Sequence, residues 1–245
     1  MYTKAAIKSG KLTKIKVLEL FSGPNKSAST AIQKWIRQAG LSRHIQVEVV
    51  TLDVDPLLDP TIAADIREWN PLSQFKPGEF HFVWASIPCP NYSRANTTGV
   101  RNLEEADAIA KATIQAILDL RPVAWVIENP TGLLRHRDFM RPLRKYLKST
   151  SYCKFGFPYR KESDIWTNIP CPLPHCRLDP CDYKRTFGKH PETAQRGSSR
   201  NGTPGNPLHA LHRVPHGLIV LLFKHAFLPG ANLPEPVGPD SFSDV

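Results

Sequence analysis

The chain has 245 residues, of which 41% are hydrophobic, and its formal net charge is +10. This length fits one α/β domain, or one domain with a small appendage. No stretch approaches the roughly 18 unbroken apolar residues that span a bilayer, and segment 1–16 lacks the apolar region of a secretory signal. Because the five cysteines are an odd number, a disulfide framework is also disfavoured. We therefore expect an intracellular protein (cytoplasm, nucleoid or nucleus) without a membrane partner.

The positive charge favours a polyanionic partner, because a basic surface attracts phosphates over long range. Five cations cluster in a stretch rich in Gly, Ser and Pro, which suits a loop along a phosphate backbone. They are Lys184, Arg185, Lys189, Arg196 and Arg200. A soluble basic protein whose excess charge is only solvated is the alternative.

Strands and helices alternate along the first two thirds of the chain. Strands are predicted where short apolar runs end at turn residues, at 15–21, 47–52, 80–86 and 123–127. Helices are predicted where apolar side chains repeat at helical spacing, at 28–39, 103–121 and 133–148, the last interrupted near Pro142. This order is typical of an α/β fold with a parallel, doubly wound sheet.

The remaining segments do not follow this alternation. Residues 1–14 are predicted to be a flexible basic leader, and residues 169–207 an irregular insertion rich in Pro, Gly, Cys and His. Helical spacing returns at 208–227, while the proline-rich segment 228–245 has no Lys or Arg and is predicted to be a disordered tail.

The turn after the first strand is a candidate nucleotide site. Residues 19–24 lie between strand and helix, where doubly wound folds receive a nucleotide, but their single glycine makes a poor pyrophosphate cradle. Asp53 ends the second strand, where an acid can bind ribose hydroxyls. Together they favour an adenosine ligand without a diphosphate, such as S-adenosylmethionine. An ordinary βα turn and a strand-end turn residue are the alternatives.

A thiol and a carboxylate follow two of the buried strands. Cys89 lies between Pro88 and Pro90, which restrict the backbone and fix the pose of the thiol. Glu128 follows four apolar residues at the end of the next strand. Since ligands bind at this edge of such sheets, the two side chains form a candidate pair of nucleophile and acid. Free cysteines are more often small buried hydrophobes, and a buried glutamate is more often a paired structural group.

The insertion contains a candidate metal site. Three cysteines and a histidine match the ligand types of a closed tetrahedral zinc site: Cys171, Cys176, Cys181 and His190. His175 is a rival ligand, and unliganded loop cysteines are the alternative because the spacing is not a standard CxxC pair. Cys153 is predicted to be a core residue, and His209, His212, His216 and His225 to be solvated or capping residues.

Several motifs occur in the order found in one enzyme family. They are Glu-Leu-Phe-Ser-Gly at 19–23, Asp-Val-Asp at 53–55, Ala-Asp-Ile at 64–66, Pro-Cys-Pro-Asn-Tyr-Ser at 88–93, Glu-Asn-Pro at 128–130 and Gly-Phe-Pro-Tyr-Arg-Lys at 156–161. With these motifs the chain resembles the cytosine C5 DNA methyltransferase family over residues 15–168. The resemblance is faint over 208–227, where only Arg213-Val214-Pro215 and Leu218-Ile219 match.

The resemblance implies a Rossmann-like methyltransferase fold and transfer of a methyl group from S-adenosylmethionine to C5 of cytosine in DNA. It implies that Cys89 attacks C6 of the base, that Glu128 holds and protonates N3, and that Arg160 orients the base. The implied cofactor contacts are Glu19, Phe21, Ser22, Gly23, Pro24, Asn25, Asp53, Val54, Asp65, Ile66 and Pro88. The implied substrate contacts are Ser93, Asn129 and Lys161. In duplex DNA the cytosine must first leave the base stack.

The chain departs from the family pattern at several points. Pro90 stands where glutamine is commoner, and Asn25 and Lys26 replace glycines. The last motif lacks its Gly-Asn pair, which puts the C-terminal cofactor contacts in doubt. Only about 40 residues, at 169–207, are left for target recognition. We therefore expect a short member with a catalytic domain at 15–168, a reduced recognition element at 169–207 and a C-terminal helix at 208–227 that packs back on the catalytic domain.

Three alternatives remain open from the sequence. The same chemistry on RNA, such as tRNA, uses the same thiol and acid. A non-catalytic nucleic-acid-binding module with a decayed cofactor pocket would explain the departures in the first and last motifs. Transfer of a different one-carbon unit to C5 would share the thiol addition step. The oligomeric state is also open, with a monomer as the expectation.

Overall fold

The computed structural model of the chain describes residues 13–97, 99–195, 197–198 and 202–228. The predicted leader up to residue 12, the predicted tail from residue 229 and two cations of the insertion, Arg196 and Arg200, lie outside the described residues. Among the helices that are described, none combines the length and the apolar character needed to cross a membrane.

A mixed sheet forms the centre of the described structure. Its strands are β1 (Thr13–Leu20), β2 (Ile45–Asp53), β3 (Ile62–Ala63), β4 (Phe82–Ser86), β5 (Ala124–Pro130), β6 (Leu147–Ser151) and β7 (Glu162–Thr167). Their order is β3-β2-β1-β4-β5-β7-β6. The first five strands in this order run parallel, whereas β7 is antiparallel to both β5 and β6.

Helices cover both faces of the sheet. They are α1 (Ser27–Gln38), α2 (Leu103–Leu120), α3 (Asp182–Phe187), α4 (Leu208–Leu211) and α5 (His216–Phe227). Short 3₁₀ segments lie at Leu41–Arg43, Pro56–Leu58, Pro71–Ser73, Leu134–His136, Asp138–Met140, Pro142–Tyr146 and Tyr152–Phe155.

Two hydrophobic cores lie on opposite faces of the sheet because successive strand residues point to opposite sides. Leu18 of β1 packs in one core with Ile114 of α2. Val17 packs in the other core with Ile32 of α1 and Leu218 of α5. The predicted α/β fold with a doubly wound, Rossmann-like sheet is confirmed, and the C-terminal helix α5 shares a core with the first strand.

The prediction of a helix over residues 133–148 is wrong. This segment forms three 3₁₀ turns and the start of β6, and it leads into an antiparallel pair of strands that the sequence did not predict. The polar residues of this pair have a specific partner. Asp164 of β7 is buried and accepts hydrogen bonds from Arg135 and Thr131. Most buried strands are recognised in a sequence as runs of apolar residues. A strand that contains a buried ion pair lacks such a run, and β7 was therefore not predicted.

Candidate active site

The carboxyl ends of β1, β4 and β5 meet at one edge of the sheet and surround a cavity of about 270 Å³. Its lining combines residues from the first turn, from the loop after β4 and from the end of β5 with residues from two later segments. They are Glu19, Phe21, Ser22, Gly23, Pro24, Asn25, Ser27, Ser86, Ile87, Pro88, Cys89, Pro90, Glu128, Pro130, Lys161, His212 and Val214. The cavity therefore brings together Cys89, Glu128 and Lys161 with seven of the predicted cofactor contacts.

The first turn is held in an unusual backbone conformation. Phe21 has φ +58° and Gly23 has φ +56°, a left-handed region that residues with a side chain rarely adopt. The carboxylate of Asp53 fixes this turn, because its oxygens accept hydrogen bonds from the Gly23 amide at 2.8 Å and the Asp55 amide at 3.1 Å. Asp53 thus lies beside the cavity and shapes its wall rather than lining it.

Glu19 joins the first strand to the first helix. Its side chain is buried, and its oxygens accept hydrogen bonds from the amides of Ala28 (2.8 Å) and Ser29 (2.9 Å) and from the Ser29 hydroxyl. These are free donors in the first turn of α1, where a carboxylate is also favoured by the helix dipole. Burial raises the pKa of Glu19, and the hydrogen bonds oppose that rise. Glu19 therefore fixes the floor of the cavity through α1.

The loop that carries Cys89 is fastened to the end of β5. The buried Asn129 amide donates a hydrogen bond from Nδ2 to the carbonyl of Ile87 at 2.8 Å. Two residues after β5, Gly132 lies so close to the loop that an added Cβ would be 2.2 Å from the carbonyl oxygen of Tyr92. Only glycine permits this approach, so the backbone after β5 packs directly against the backbone of the loop that follows Cys89.

Cys89 is partly exposed in the cavity, and its environment affects ionisation in opposing ways. Burial raises the pKa of the thiol. The Lys161 ammonium lowers this pKa, and the Glu128 carboxylate raises it further. A cation at this position therefore favours the thiolate, which is the nucleophilic form of cysteine.

Glu128 is buried, with 4% of its surface exposed, and Tyr152 holds it in place. The Tyr152 hydroxyl donates a hydrogen bond to Oε1 of Glu128 at 2.7 Å. Burial raises the pKa of this phenol, and Glu128 adds to the rise, so Tyr152 remains a donor. The Nζ of Lys161 lies 4.8 Å from the centroid of the Tyr152 ring and donates to the carbonyl of Leu211 at 2.7 Å.

Arg160 does not lie in this cavity, in contrast to the predicted role in orienting the base. Its Nε pairs with Oε1 of Glu162 at 3.1 Å, and its side chain lines a different cavity of about 330 Å³ together with Lys184, Lys189 and His190. Adjacent residues of an extended segment point to opposite sides, so Lys161 faces the catalytic cavity while Arg160 faces the insertion.

Other predicted contacts also lie outside the lining of the cavity. Val54 is 67% exposed, Asp65 pairs with Arg67, and Ile66 is buried in a core. The Ser93 hydroxyl accepts a hydrogen bond from the amide of Ala95 at 3.1 Å. The side chain of Asn129 is buried on its loop contact.

Sequence reasoning missed two contributors to the site. Tyr152 lies outside every motif of the sequence analysis, so only its contact with Glu128 in the structure reveals its role. His212 was predicted to be solvated, and it is exposed but lines the cavity beside Val214. Its position immediately before the faint final motif is the sequence signal for it. Burial, and then Lys161, lower the pKa of His212.

A second cluster of functional side chains lies in the insertion. The ligand atoms of Cys153, Cys176, Cys181 and His190 all lie within 4.8 Å of one another. The structure thus brings together three of the four predicted metal ligands and replaces Cys171 with Cys153. Cys171 is buried in the core with Val17, and its sulfur donates to the carbonyl of Pro172 at 3.4 Å. The rival residue His175 instead pairs with Glu162 at 2.6 Å.

The fold and the cavity define an α/β protein with a nucleotide-type first turn and a thiol beside a buried acid. Among proteins of known sequence, the chain is 26% identical over 227 residues to the protein named "Probable DNA (cytosine-5)-methyltransferase" of Frog virus 3 (isolate Goorha). The match covers 85% of this chain and 98% of the viral protein. The resemblance to cytosine C5 DNA methyltransferases is confirmed by this relative. No protein-family model matches the chain.

Two solved structures are similar to parts of the chain. One is described as a DNA modification methyltransferase encoded within a prophage of E. coli, with a TM-score of 0.42 and 13% identity. The other is a mutant of Spodoptera frugiperda DNMT2, with a TM-score of 0.40 and 17% identity. Each match covers 62% of this chain, and the chain spans only 46% and 50% of the two proteins, respectively.

Proposed function

We propose that this protein transfers a methyl group from S-adenosylmethionine to C5 of cytosine in DNA, through a covalent adduct of Cys89 at C6 of the base. The observation that carries this proposal is the single cavity lined by Cys89, Glu128 and the first turn. The similarity to the viral protein over nearly its whole length supports it. The low identity of that match makes the cavity, not the name of the relative, the basis for assigning roles to residues.

Cys89 is the proposed nucleophile. Carbon C5 of cytosine is a poor nucleophile, and attack of a thiolate on C6 converts the ring into an enamine whose C5 carries electron density. Lys161 favours the thiolate, because its ammonium opposes the rise in the pKa of Cys89 that burial causes. Loss of the C5 proton after methylation reforms the ring double bond and releases the Cys89 thiolate.

Glu128 is the proposed acid. In its protonated form it donates to N3 of the base as negative charge builds there during attack, and its second oxygen accepts from the exocyclic amine. Tyr152 donates to Oε1 of Glu128 at 2.7 Å, so it fixes the orientation of the carboxyl group. Tyr152 is thus a positioning residue, because it acts through Glu128.

The first turn is the proposed cofactor site, and its residues fit an adenosine sulfonium. Ser22 and Gly23 line the cavity, and within the described part of the chain the buried Ser22 hydroxyl has no hydrogen-bond partner. Phe21 offers an aromatic face for a purine, and Pro88 also lines the cavity. S-adenosylmethionine, when bound there, supplies the methyl group. A single glycine suffices because no diphosphate has to be cradled.

A basic surface close to the cavity suits a nucleic acid, and the name of the viral relative favours DNA as the proposed substrate. Arg160, Lys184 and Lys189 line a neighbouring cavity, and Arg213 lines a larger one of about 690 Å³. This larger cavity shares Asn25, Ser27 and Val214 with the catalytic cavity, so the two are continuous neighbours. Cations placed in this way suit phosphates on either side of an extruded base.

The test compares wild-type protein with Cys89→Ala in methyl transfer to duplex DNA and, in parallel, to tRNA. We expect transfer to DNA by wild type and a loss of about a thousandfold or more in Cys89→Ala. Cys171→Ala, which removes a buried thiol elsewhere, should retain activity. Duplex DNA with 5-fluorocytosine should form a covalent complex with wild type, because fluorine at C5 cannot leave as a proton.

Three results would contradict the proposal. Undiminished transfer by Cys89→Ala would exclude the covalent mechanism. Transfer to tRNA without transfer to DNA would move the activity to RNA. Calorimetry with S-adenosylmethionine that shows no binding by wild type would favour a nucleic-acid-binding module without catalysis.

A further inference from the structure

We propose that Cys153, Cys176, Cys181 and His190 bind one Zn²⁺ ion, and that this ion clamps the insertion onto the catalytic domain. The four side chains come from two parts of the chain. Cys153 lies in the 3₁₀ turn that follows β6, whereas the other three lie around α3, with Cys181 immediately before that helix and His190 after it. The site is separate from the cavity that holds Cys89.

The spacing of the ligand atoms matches a tetrahedral zinc site. Nε2 of His190 lies 3.2 Å from the sulfur of Cys181 and 3.7 Å from that of Cys176, and all four ligand atoms lie within 4.8 Å of one another. Zinc bonds of about 2.3 Å to sulfur and about 2.0 Å to nitrogen place ligand atoms roughly 3.5–3.8 Å apart in a tetrahedron. A small adjustment of the side chains therefore suffices to bind the ion.

The ligand types select the metal and its role. Three thiolates and an imidazole are soft ligands that suit zinc, and a full set of four protein ligands leaves no open position for a substrate. The three cysteines are buried, with at most 5% of their surface exposed, and His190 is half-buried. This arrangement indicates a structural ion, not a catalytic one.

The segment around α3 lacks the apolar packing that would otherwise hold it. Helix α3 has six residues, and none of them is buried. Leu178 and Phe187 are 88% and 67% exposed. The three cysteines form a small buried cluster of their own, against which Tyr183 packs. A helix of this length is unstable without tertiary contacts, and a bound metal supplies such contacts in small segments.

Several contacts align the segment with the catalytic domain, and two of them lie beside residues of the proposed site. The amide of Cys176 donates to the hydroxyl of Ser151, the last residue of β6, at 3.1 Å. Lys154 pairs with Asp179 at 2.6 Å. Because this ion pair is solvent-exposed on the Asp179 side, it contributes little stability by itself. The metal would therefore add a direct bonded link between the segment around α3 and the turn after β6.

The choice of Cys153 over Cys171 makes the proposal sharply testable. Metal analysis of protein purified without a metal-binding tag should find about one zinc ion per chain, and Cys153→Ser should lose it. Cys171→Ser is the matched control, since that buried thiol lies outside the cluster, and it should retain the ion. Replacement of zinc by Co²⁺ should give the visible absorption of a tetrahedral cobalt–thiolate site in wild type and in Cys171→Ser.

Limited proteolysis tests the clamp without requiring enzyme activity. Chelation of the metal should expose the lysines and arginines of 177–189 to trypsin, while the sheet stays protected. Wild type without zinc and with 177–189 protected would overturn the proposal. Equal zinc content in Cys153→Ser and wild type would overturn it too. A disulfide in the metal-free, folded protein would also overturn the proposal. Thiol titration after denaturation would then count three free thiols instead of five.

Discussion

The hydroxyl of Tyr152 lies 2.7 Å from Oε1 of Glu128, and both side chains are buried beneath the cavity that contains Cys89. The two residues come from different parts of the chain, since Glu128 lies in β5 and Tyr152 lies in the turn after β6. A buried carboxylate is costly unless hydrogen-bonded, so this contact both stabilises the fold and directs the acid.

Tyr152→Phe removes this donor while keeping the ring. We expect the free energy of unfolding to fall by about 1–3 kcal/mol, and the rate of methyl transfer to fall by up to about a hundredfold because Glu128 is less well oriented. Urea denaturation and single-turnover methyl transfer measure the two effects. Tyr159→Phe is the control, because the Tyr159 hydroxyl donates to the carbonyl of Ala210 at 3.2 Å instead. An equal loss of rate in both variants would contradict the prediction.

Lys161 and Arg160 are adjacent, but only Lys161 lines the catalytic cavity. Lys161→Met should raise the pKa of the Cys89 thiol, because the cation that lowers it is gone. Alkylation of Cys89 by iodoacetamide should then be several-fold slower near neutral pH, and its pH profile should move to higher pH. Peptide mass spectrometry isolates the reaction at Cys89.

Arg160→Met is the matched control for that experiment and should leave the alkylation profile of Cys89 unchanged. Lys161→Arg should restore part of the rate, since it retains the charge. If Arg160→Met shifts the profile and Lys161→Met does not, the placement of the two side chains is wrong.

Gly132→Ala tests the fit between the end of β5 and the Cys89 loop. The new Cβ would meet the backbone oxygen of Tyr92 at 2.2 Å, and backbone atoms cannot move aside as a flexible side chain can. We expect a loss of stability of at least about 1–3 kcal/mol. Gly217→Ala in α5 is the control. It meets only the Phe155 ring at 3.3 Å and should gain up to about 1 kcal/mol from helix propensity. Similar unfolding free energies for the two variants would contradict the prediction.

Glu19 should make stability depend on pH in a definite direction. Burial raises its pKa in the folded protein above the usual 4.5, so the folded state binds the proton more tightly than the unfolded state does. Its contribution to stability is complete below about pH 4.5 and is lost as the pH rises through the folded pKa.

The comparison with Glu19→Gln isolates this effect. The unfolding free energy of wild type minus that of Glu19→Gln should decrease from about pH 4 to about pH 7. Urea denaturation at several pH values measures it. A difference that rises with pH would show that the hydrogen bonds from Ala28 and Ser29 outweigh the effect of burial.

The sequence predicted the parallel part of the sheet and the position of the thiol, because buried parallel strands and their ends leave strong apolar patterns. It failed where partners are distant in sequence. Cys153 and Cys171 are both single cysteines near turns, and only the path of β6 decides which one reaches His190. The polar strand β7 is stabilised by the ion pair between Asp164 and Arg135, and no local sequence pattern predicts this pair.

The same limit explains Arg160 and Lys161. The motif at 156–161 placed a cation near the base, but the direction of each side chain depends on the register of the antiparallel pair β6 and β7. A shift by one residue exchanges the two faces of a strand. The sequence therefore predicted both Arg160 and Lys161 as site residues, and only Lys161 lines the cavity.

The lining of the catalytic cavity extends from Glu19 to Val214 along the chain. During synthesis, Cys89 leaves the ribosome long before the residues that complete its surroundings. Contacts across such separations form slowly, because the intervening chain must first be closed into a loop. Cys89 is therefore made well before its finished surroundings, and we expect newly made chains to acquire methyl-transfer activity only in the last stage of folding.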